Sequence, residues 1–352
     1  MIRRATHADW GELSRLFAEI YRANPRMVEK DFVDWAYGRF SSGESEVYNL
    51  WISDRDGAIG AFMAEIPLAA IHDGREMTGA WPGLWWGAGR EDALAVYFQV
   101  MKTFHPRVYV GFTPVSAAVT RSLGMAFLDR LPRWIGILDP VPVSAFSADG
   151  AAWAGRYAAS RAALDALPAD DPDIRECAEF GPDFEASPSA FHPEVQSFVR
   201  RTGAFLNWRY MRMPRHNYRA FVDGRSGSLA VCRTETVTGQ SYAVMRVVEW
   251  LVRRDRAAAM LGRLAAEAKK AGAVLMDFFC SSRIVGRDLE SLGMLDEETV
   301  GRSVPAYFRP LWNPFHGLAL AIDFLPLRRP KRIDFDTWYV TRGDGDVDRV
   351  KL

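Results

Sequence analysis

Three stretches of this chain occur twice, in the same order and at nearly the same offset. Phe32-Val33-Asp34-Trp35-Ala36-Tyr37 returns as Phe205-Leu206-Asn207-Trp208-Arg209-Tyr210, 173 positions on, both reading Phe-x-[Asp/Asn]-Trp-x-Tyr. Ser122-Leu123-Gly124-Met125 returns unchanged as Ser291-Leu292-Gly293-Met294, 169 positions on. Between them Tyr48, Trp51, Ile52, Gly57 and Ile59 recur with the same spacing as Tyr218, Phe221, Val222, Gly227 and Leu229. A period of this length is far too long for a solenoid and is the size of a domain. The repeat predicts two lobes on one plan, over residues 1–140 and 173–352. Residues 141–172 are then a join, with an Ala-rich helical piece over Ala151–Leu167.

At 352 residues the chain exceeds one ordinary core and suits two. Lys plus Arg total 44, as do Asp plus Glu, so the formal charge is zero. Binding a phosphate backbone needs a basic excess on some face, which argues against a nucleic-acid partner. The basic run Arg328, Arg329, Lys331 and Arg332 flanks Pro330 and reads as a solvated turn. Cys177, Cys232 and Cys280 form no CxxC pair and are odd in number, which fits a reducing cytoplasm. No apolar run follows the charges of Met1–Thr6, so no secretory signal is expected. No stretch approaches the ~20 apolar residues of a membrane span. The histidines make no metal-ligand spacing, so no metal is expected.

Each half reads as the same succession of elements. Ile2–Ala5 and Ile174–Cys177 open the halves as strands. Thr6 and Asp9, with Glu12 three positions after Asp9, suit a capping box. Trp10, Leu13, Leu16, Phe17 and Ile20 then follow helical spacing. Tyr48–Ser53 and Ala58–Ile66 are strands joined by the turn Asp54-Arg55-Asp56-Gly57, and the segment from Phe221 to Arg233 repeats that hairpin. A third strand crosses His72-Asp73-Gly74. Gly83–Trp86 and Val247–Leu251 suit central strands, each leading into a helix, Arg90–Thr103 and Arg256–Lys270. Val108–Phe112 and Val274–Phe279 are buried-type strands that feed helices capped by Thr113 and Ser282. Both helices end at Leu-Gly-Met, with the glycine in a left-handed cap. The prediction is a mixed α/β fold with a partly parallel sheet in each lobe.

This order of elements, closing on Leu123-Gly124-Met125 where a relative would carry Leu-Gly-Phe, resembles the GNAT acyltransferase superfamily. The whole chain resembles a tandem GNAT protein. Its Phe-x-x-Trp-x-Tyr elements and the stretch Asp336–Asp346 are similar to those of two-lobed proteins from bacterial polysaccharide and cell-envelope clusters. The resemblance implies acetyl-CoA or another acyl-CoA as co-substrate. It also implies a small-molecule amine acceptor, such as an amino sugar or envelope precursor, and a diphosphate held by a glycine-rich loop and the next helix N-terminus. Gly87-Ala88-Gly89-Arg90 stands in that loop's place without the family's spacing. With Trp85 and Trp86 it makes the implied cofactor-binding set: Trp85, Trp86, Gly87, Gly89 and Arg90. The second half offers Val252–Ala257 with no glycine, leaving Arg253, Arg254 and Arg256 to bind by charge. The family's tyrosine acid falls on Thr120 and Leu289, neither of which donates a proton readily.

Acylating an amine requires aligned reactants, a proton acceptor and a polarised carbonyl. Glu65 and Glu249 are the candidate bases, because a carboxylate inside an apolar strand is desolvated and its pKa rises. Each also suits a structural ion pair, with Arg246 or another arginine. Arg209, which replaces Ala36 of the first copy, and Trp208 are candidates for acceptor binding, although a duplicated aromatic also reports shared core. Tyr109 and Asp277, on the fifth strands, either face the cleft or pack. Three functions fit. One is an N-acetyltransferase working from the first lobe with the second as support. Another is a Fem-like aminoacyltransferase, which the neutral charge disfavours. The last is a non-catalytic binding protein with decayed loops, whose mark is a cleft plugged by side chains.

Overall fold

The computed structural model describes residues 1–21, 25–38, 47–308, 311–312, 318–324 and 333–345. The basic run at 328–332 lies outside these residues. In chain order the framework is β1 (Ile2–Thr6), α1 (Trp10–Ile20), α2 (Lys30–Tyr37), β2 (Val47–Arg55), β3 (Ala58–His72), β4 (Arg75–Gly87), α3 (Arg90–Val100), β5 (Arg107–Val110), α4 (Pro114–Ser122), β6 (Ala126–Leu128) and β7 (Arg133–Ile137). It continues through α5 (Pro140–Phe146), α6 (Gly150–Asp165), β8 (Ile174–Cys177), β9 (Tyr218–Asp223), β10 (Leu229–Thr236), β11 (Ala243–Leu251), α7 (Ala257–Lys270), β12 (Ala273–Phe279), α8 (Arg283–Ser291), β13 (Leu295–Asp296), β14 (Leu320–Asp323) and β15 (Trp338–Tyr339). The expected mixed α/β class holds. No helix among the described residues is long and apolar enough to cross a membrane.

Two compact units divide the chain, and the division does not follow the repeat. The first comprises Met1–Leu128, Ala319–Ile333 and Asp344–Leu352; the second, Asp129–Leu318 and Asp334–Gly343. The first unit's sheet runs β1-β2-β3-β4-β5-β14-β6. Its β2–β3 hairpin turns on Asp56 and Gly57 alone, both at positive φ (54° and 90°), the geometry that matches the twist of paired strands. Asp73-Gly74, expected inside a third strand, is instead the turn from β3 to β4, and the expected fourth strand is the end of β4. Met63, Val96, Tyr97, Val100 and Met125 form a core where α3 covers the sheet. The second unit's sheet runs β13-β7-β12-β11-β10-β9-β8. Its core gathers Ile135, Ile137, Val244 and Leu275 with Val143 of α5 and Tyr157 of α6. The segment read as a join therefore contributes core helices.

The strand between β5 and β6 is β14, and the strand between β12 and β13 is β7. Each sheet is thus completed by a strand from the other half of the repeat. Buried ion pairs accompany both insertions: Arg107–Asp323 at 2.8 Å in the first unit, and Arg133–Asp277 at 2.6 Å in the second.

Two caps behave differently from their copies. Thr113 caps α4 by accepting from the Ser116 N–H, as expected. Ser282 does not cap α8; its hydroxyl donates to the Asp336 carbonyl at 2.7 Å. The first capping box is also shifted: Thr6 pairs with Asp9, while Glu12 binds Arg15. Gly124 and Gly293 both take the left-handed conformation predicted for them, at φ 68° and 98°.

Candidate functional site

The site begins with two strands that part. β4 and β5 run parallel but share a single register pair, Ala80 with Arg107. In the second unit β11 and β12 stay together over five pairs, from Ala243–Ala273 to Val247–Phe278. Along β4, Met63 faces Trp85 while Ala64 faces Gly83, so Leu84 is an extra residue, a β-bulge at φ 31°. β5 ends at Val110, and Gly111 at φ 81° turns the chain into the Thr113 cap of α4. A cavity of about 380 Å³ lies here, lined by Leu84, Trp85, Tyr97, Tyr109, Thr113 and Thr120 among others. It sits at the low end of the range for small-molecule sites.

No charged side chain lines the cavity among the described residues. Its polar groups are hydroxyls. Those of Tyr97 and Tyr109 are buried with no hydrogen-bond partner among the described residues. Burial pushes Tyr97 up to about 12 and raises Tyr109 too, so both are neutral phenols. Thr120, where the family acid would fall, does reach the cavity. Its hydroxyl already donates to the Ser116 carbonyl at 2.7 Å, which spends its proton on the helix backbone.

The residues singled out from sequence are placed as follows. Trp85 lines the cavity and donates its indole N–H to the Ala93 carbonyl at 3.1 Å. Trp86 stacks on Phe62 instead, with ring centroids 5.5 Å apart. Gly87 packs so tightly on α3 that a Cβ there would lie 2.7 Å from Ala93 Cβ. Gly89 is the N-cap of α3, and Arg90 its exposed first residue. Glu65 is fully buried on β3 and accepts from Trp51 Nε1 at 2.9 Å and from the Thr103 hydroxyl. Arg4 stands 3.9 Å away. Burial raises the pKa of Glu65 despite these partners.

Glu249 lies in the second unit with no exposure. Its Oε1 accepts from Arg201 Nε at 3.0 Å and Tyr210 Oη at 2.6 Å, and its Oε2 from Tyr339 Oη at 3.1 Å. Tyr339 Oη in turn accepts from the Trp250 N–H at 3.0 Å. This strand bulges at the matching place: Val231 faces Glu249 and Cys232 faces Val247, leaving Val248 extra. Beside the second bulge therefore stands a buried carboxylate with its three donors. The structural ion pair is thus made with another arginine, Arg201, while Arg246 binds Glu235 at 2.8 Å and Asp277. Asp277 is part of that ion network. Trp208 and Arg209 are buried too, and Arg209 Nε donates to the Gly343 carbonyl at 2.9 Å. Arg253, Arg254 and Arg256 are each paired with a carboxylate: Asp255, Asp288 and Asp171.

Sequence reading missed Leu84 and Tyr97. Pro82-Gly83 inside a strand was the available signal for the bulge. Tyr97 carried none, since it sits among ordinary helical core positions.

No family model matches the chain, and no curated protein matches it. Solved structures of similar fold include a GCN5-related N-acetyltransferase from Kribbella flavida, with 12% identity, TM-score 0.49, and 92% of this chain covering 72% of that one. Another from Anabaena variabilis has 10% identity and TM-score 0.46. There 79% of this chain spans 65% of that chain, less than two thirds of its length. N-myristoyltransferase from Saccharomyces cerevisiae, solved with myristoyl-CoA and inhibitors, has 10% identity and TM-score 0.47, with 91% of this chain covering 79%.

Proposed function

We propose that this protein is an acyltransferase acting from its first unit. It takes an acyl group from a thioester, acetyl-CoA or another acyl-CoA, and passes it to an amine on a small molecule such as an amino sugar or cell-envelope precursor. The observation that carries this reading is the parted β4–β5 edge, with an apolar cavity at the Leu84 bulge. Parted strands offer backbone N–H and C=O groups to an extended, amide-bearing arm, as a sheet edge does to a peptide. Backbone at the bulge polarises the thioester carbonyl, and the neutral phenols of Tyr97 and Tyr109 add donors. The amine's lone pair forms the new N–C bond as the C–S bond breaks, and the amine's proton leaves with the thiol. Glu65, the first-unit candidate for a base, is buried outside the cavity lining and held by Trp51 Nε1 and the Thr103 hydroxyl, so in this reading the proton passes directly to the departing thiolate or through solvent.

The second unit acts as support in this reading. Its strands stay paired, and Glu249 beside its bulge is held in a buried hydrogen-bond network, which fits that role. Trp208 and Arg209, candidates for the acceptor, lie buried in that unit. Matching bulges at Leu84 and Val248 support descent of both units from one duplicated lobe. Cys177, Cys232 and Cys280 form no disulfide, which suits a reducing cytoplasm.

Isothermal titration with acetyl-CoA tests the reading. One site per chain is expected, and silence at millimolar cofactor removes the claim.

A further inference from the structure

The cavity beside the Leu84 bulge holds more hydrogen-bond donors than an acetyl group can use. Its hydroxyls belong to Tyr97, Tyr109, Thr113, Ser116 and Thr120. Thr113 and Ser116 are joined in the cap of α4, where Thr113 Oγ1 accepts from the Ser116 N–H at 3.2 Å and Ser116 Oγ donates to the Thr113 carbonyl at 3.1 Å. Thr120 is spent on the Ser116 carbonyl. That leaves the phenols of Tyr97 and Tyr109, whose hydroxyls are buried without a partner among the described residues. Burial keeps both neutral, so each brings a donor and no charge. They come from different elements. Tyr97 stands on α3 with its ring 5.2 Å from that of Trp85, the residue next to the bulge, and Tyr109 stands on β5, across the parted edge. An unmet buried donor is costly, so a ligand with an acceptor for each phenol is favoured over one that serves a single phenol.

A carbonyl oxygen has two lone pairs. In the acyl-transfer reading the backbone at the bulge fills one, and Tyr97, the phenol beside the bulge, fills the other. Tyr109 is then a surplus donor for the remainder of the acyl group. A methyl group offers it nothing. A carboxylate would accept from it, but no charged side chain lines the cavity among the described residues to offset its desolvation. A hydroxyl suits, because a phenol both donates and accepts. Resting on the acyl-transfer reading, we infer that the acyl group is a short chain bearing a neutral oxygen, a hydroxyacyl group, and that Tyr109 selects it.

The test is isothermal titration with four CoA thioesters of one chain length: butyryl-, 2-hydroxybutyryl-, 3-hydroxybutyryl- and succinyl-CoA. One of the two hydroxyacyl compounds is expected to bind about tenfold or more tightly than butyryl-CoA, the scale of one buried hydrogen bond. Succinyl-CoA is expected to bind more weakly than butyryl-CoA. Tyr109→Phe should bring the preferred hydroxyacyl compound down to the butyryl-CoA level and leave the Kd of butyryl-CoA within about twofold, since only the hydroxyl contact is lost. Tyr97→Phe should weaken both alike, because the thioester carbonyl is common to them. Butyryl-CoA binding as tightly as both hydroxyacyl compounds overturns the inference, as does succinyl-CoA binding tightest. Tyr109→Phe weakening butyryl-CoA and the hydroxyacyl compounds equally also overturns it, by assigning that phenol to a part of the donor they share. The wild-type ranking decides the matter if a variant does not fold. Binding of all four alike leaves the acyl-transfer reading standing and sinks only this inference, whereas binding of none removes both.

Discussion

Glu249 shows how one carboxylate is committed by its surroundings. An acid on an apolar strand is a candidate base until its neighbours are known. Here an arginine and two phenols donate to it and burial keeps it from solvent, so it is committed to structure. Removing one partner should be costly, because the remaining charge stays buried: Arg201→Met is expected to lose about 3–5 kcal/mol of stability, read from urea midpoints. His105 gives the pH dependence a sign. Burial lowers its pKa from 6.5 to about 4, so the unfolded chain holds more protons between those values. The stability this residue contributes is full above pH 6.5 and is lost as pH falls towards 4. His105→Gln should flatten that part of the acid limb, measured as denaturant midpoints from pH 7 to about 4.

At the scale of single elements, local chemistry decides some ends and packing decides others. Thr113 caps α4, so Thr113→Ala is expected to cost about 1 kcal/mol by thermal unfolding. α8 presents Gly286 to β7, and a Cβ there would fall 1.7 Å from Trp134 Cζ2. Alanine is the better helix former by about 1 kcal/mol, yet the clash cannot be relieved without moving a buried indole. Gly286→Ala should therefore lower stability by roughly 1–3 kcal/mol, and a raised melting temperature would refute that packing argument.

At the scale of the whole chain, the division into units does not follow the repeat. Each unit's sheet needs a strand from outside its half of the repeat. Cut at the boundaries the repeat suggests, residues 1–140 lack β14 and leave Arg107 buried without Asp323. Residues 173–352 lack β7 and, with it, Arg133 opposite Asp277. Neither fragment should unfold cooperatively by circular dichroism. A fragment that does would show that the inserted strand is dispensable.

The amino-acid sequence by itself determined the order of strands and helices, the positive-φ glycines after α4 and α8, the Thr113 cap and the mixed α/β class. All of these depend on residues a few positions apart. Tertiary structure alone decided which strand completes which sheet, where β4 leaves β5, and which acid is locked in an ion pair. Arg107 and Asp323 are 216 positions apart. The strands are alike in their apolar character, so the choice among partners is made by side chains meeting across the fold, and no local pattern carries it.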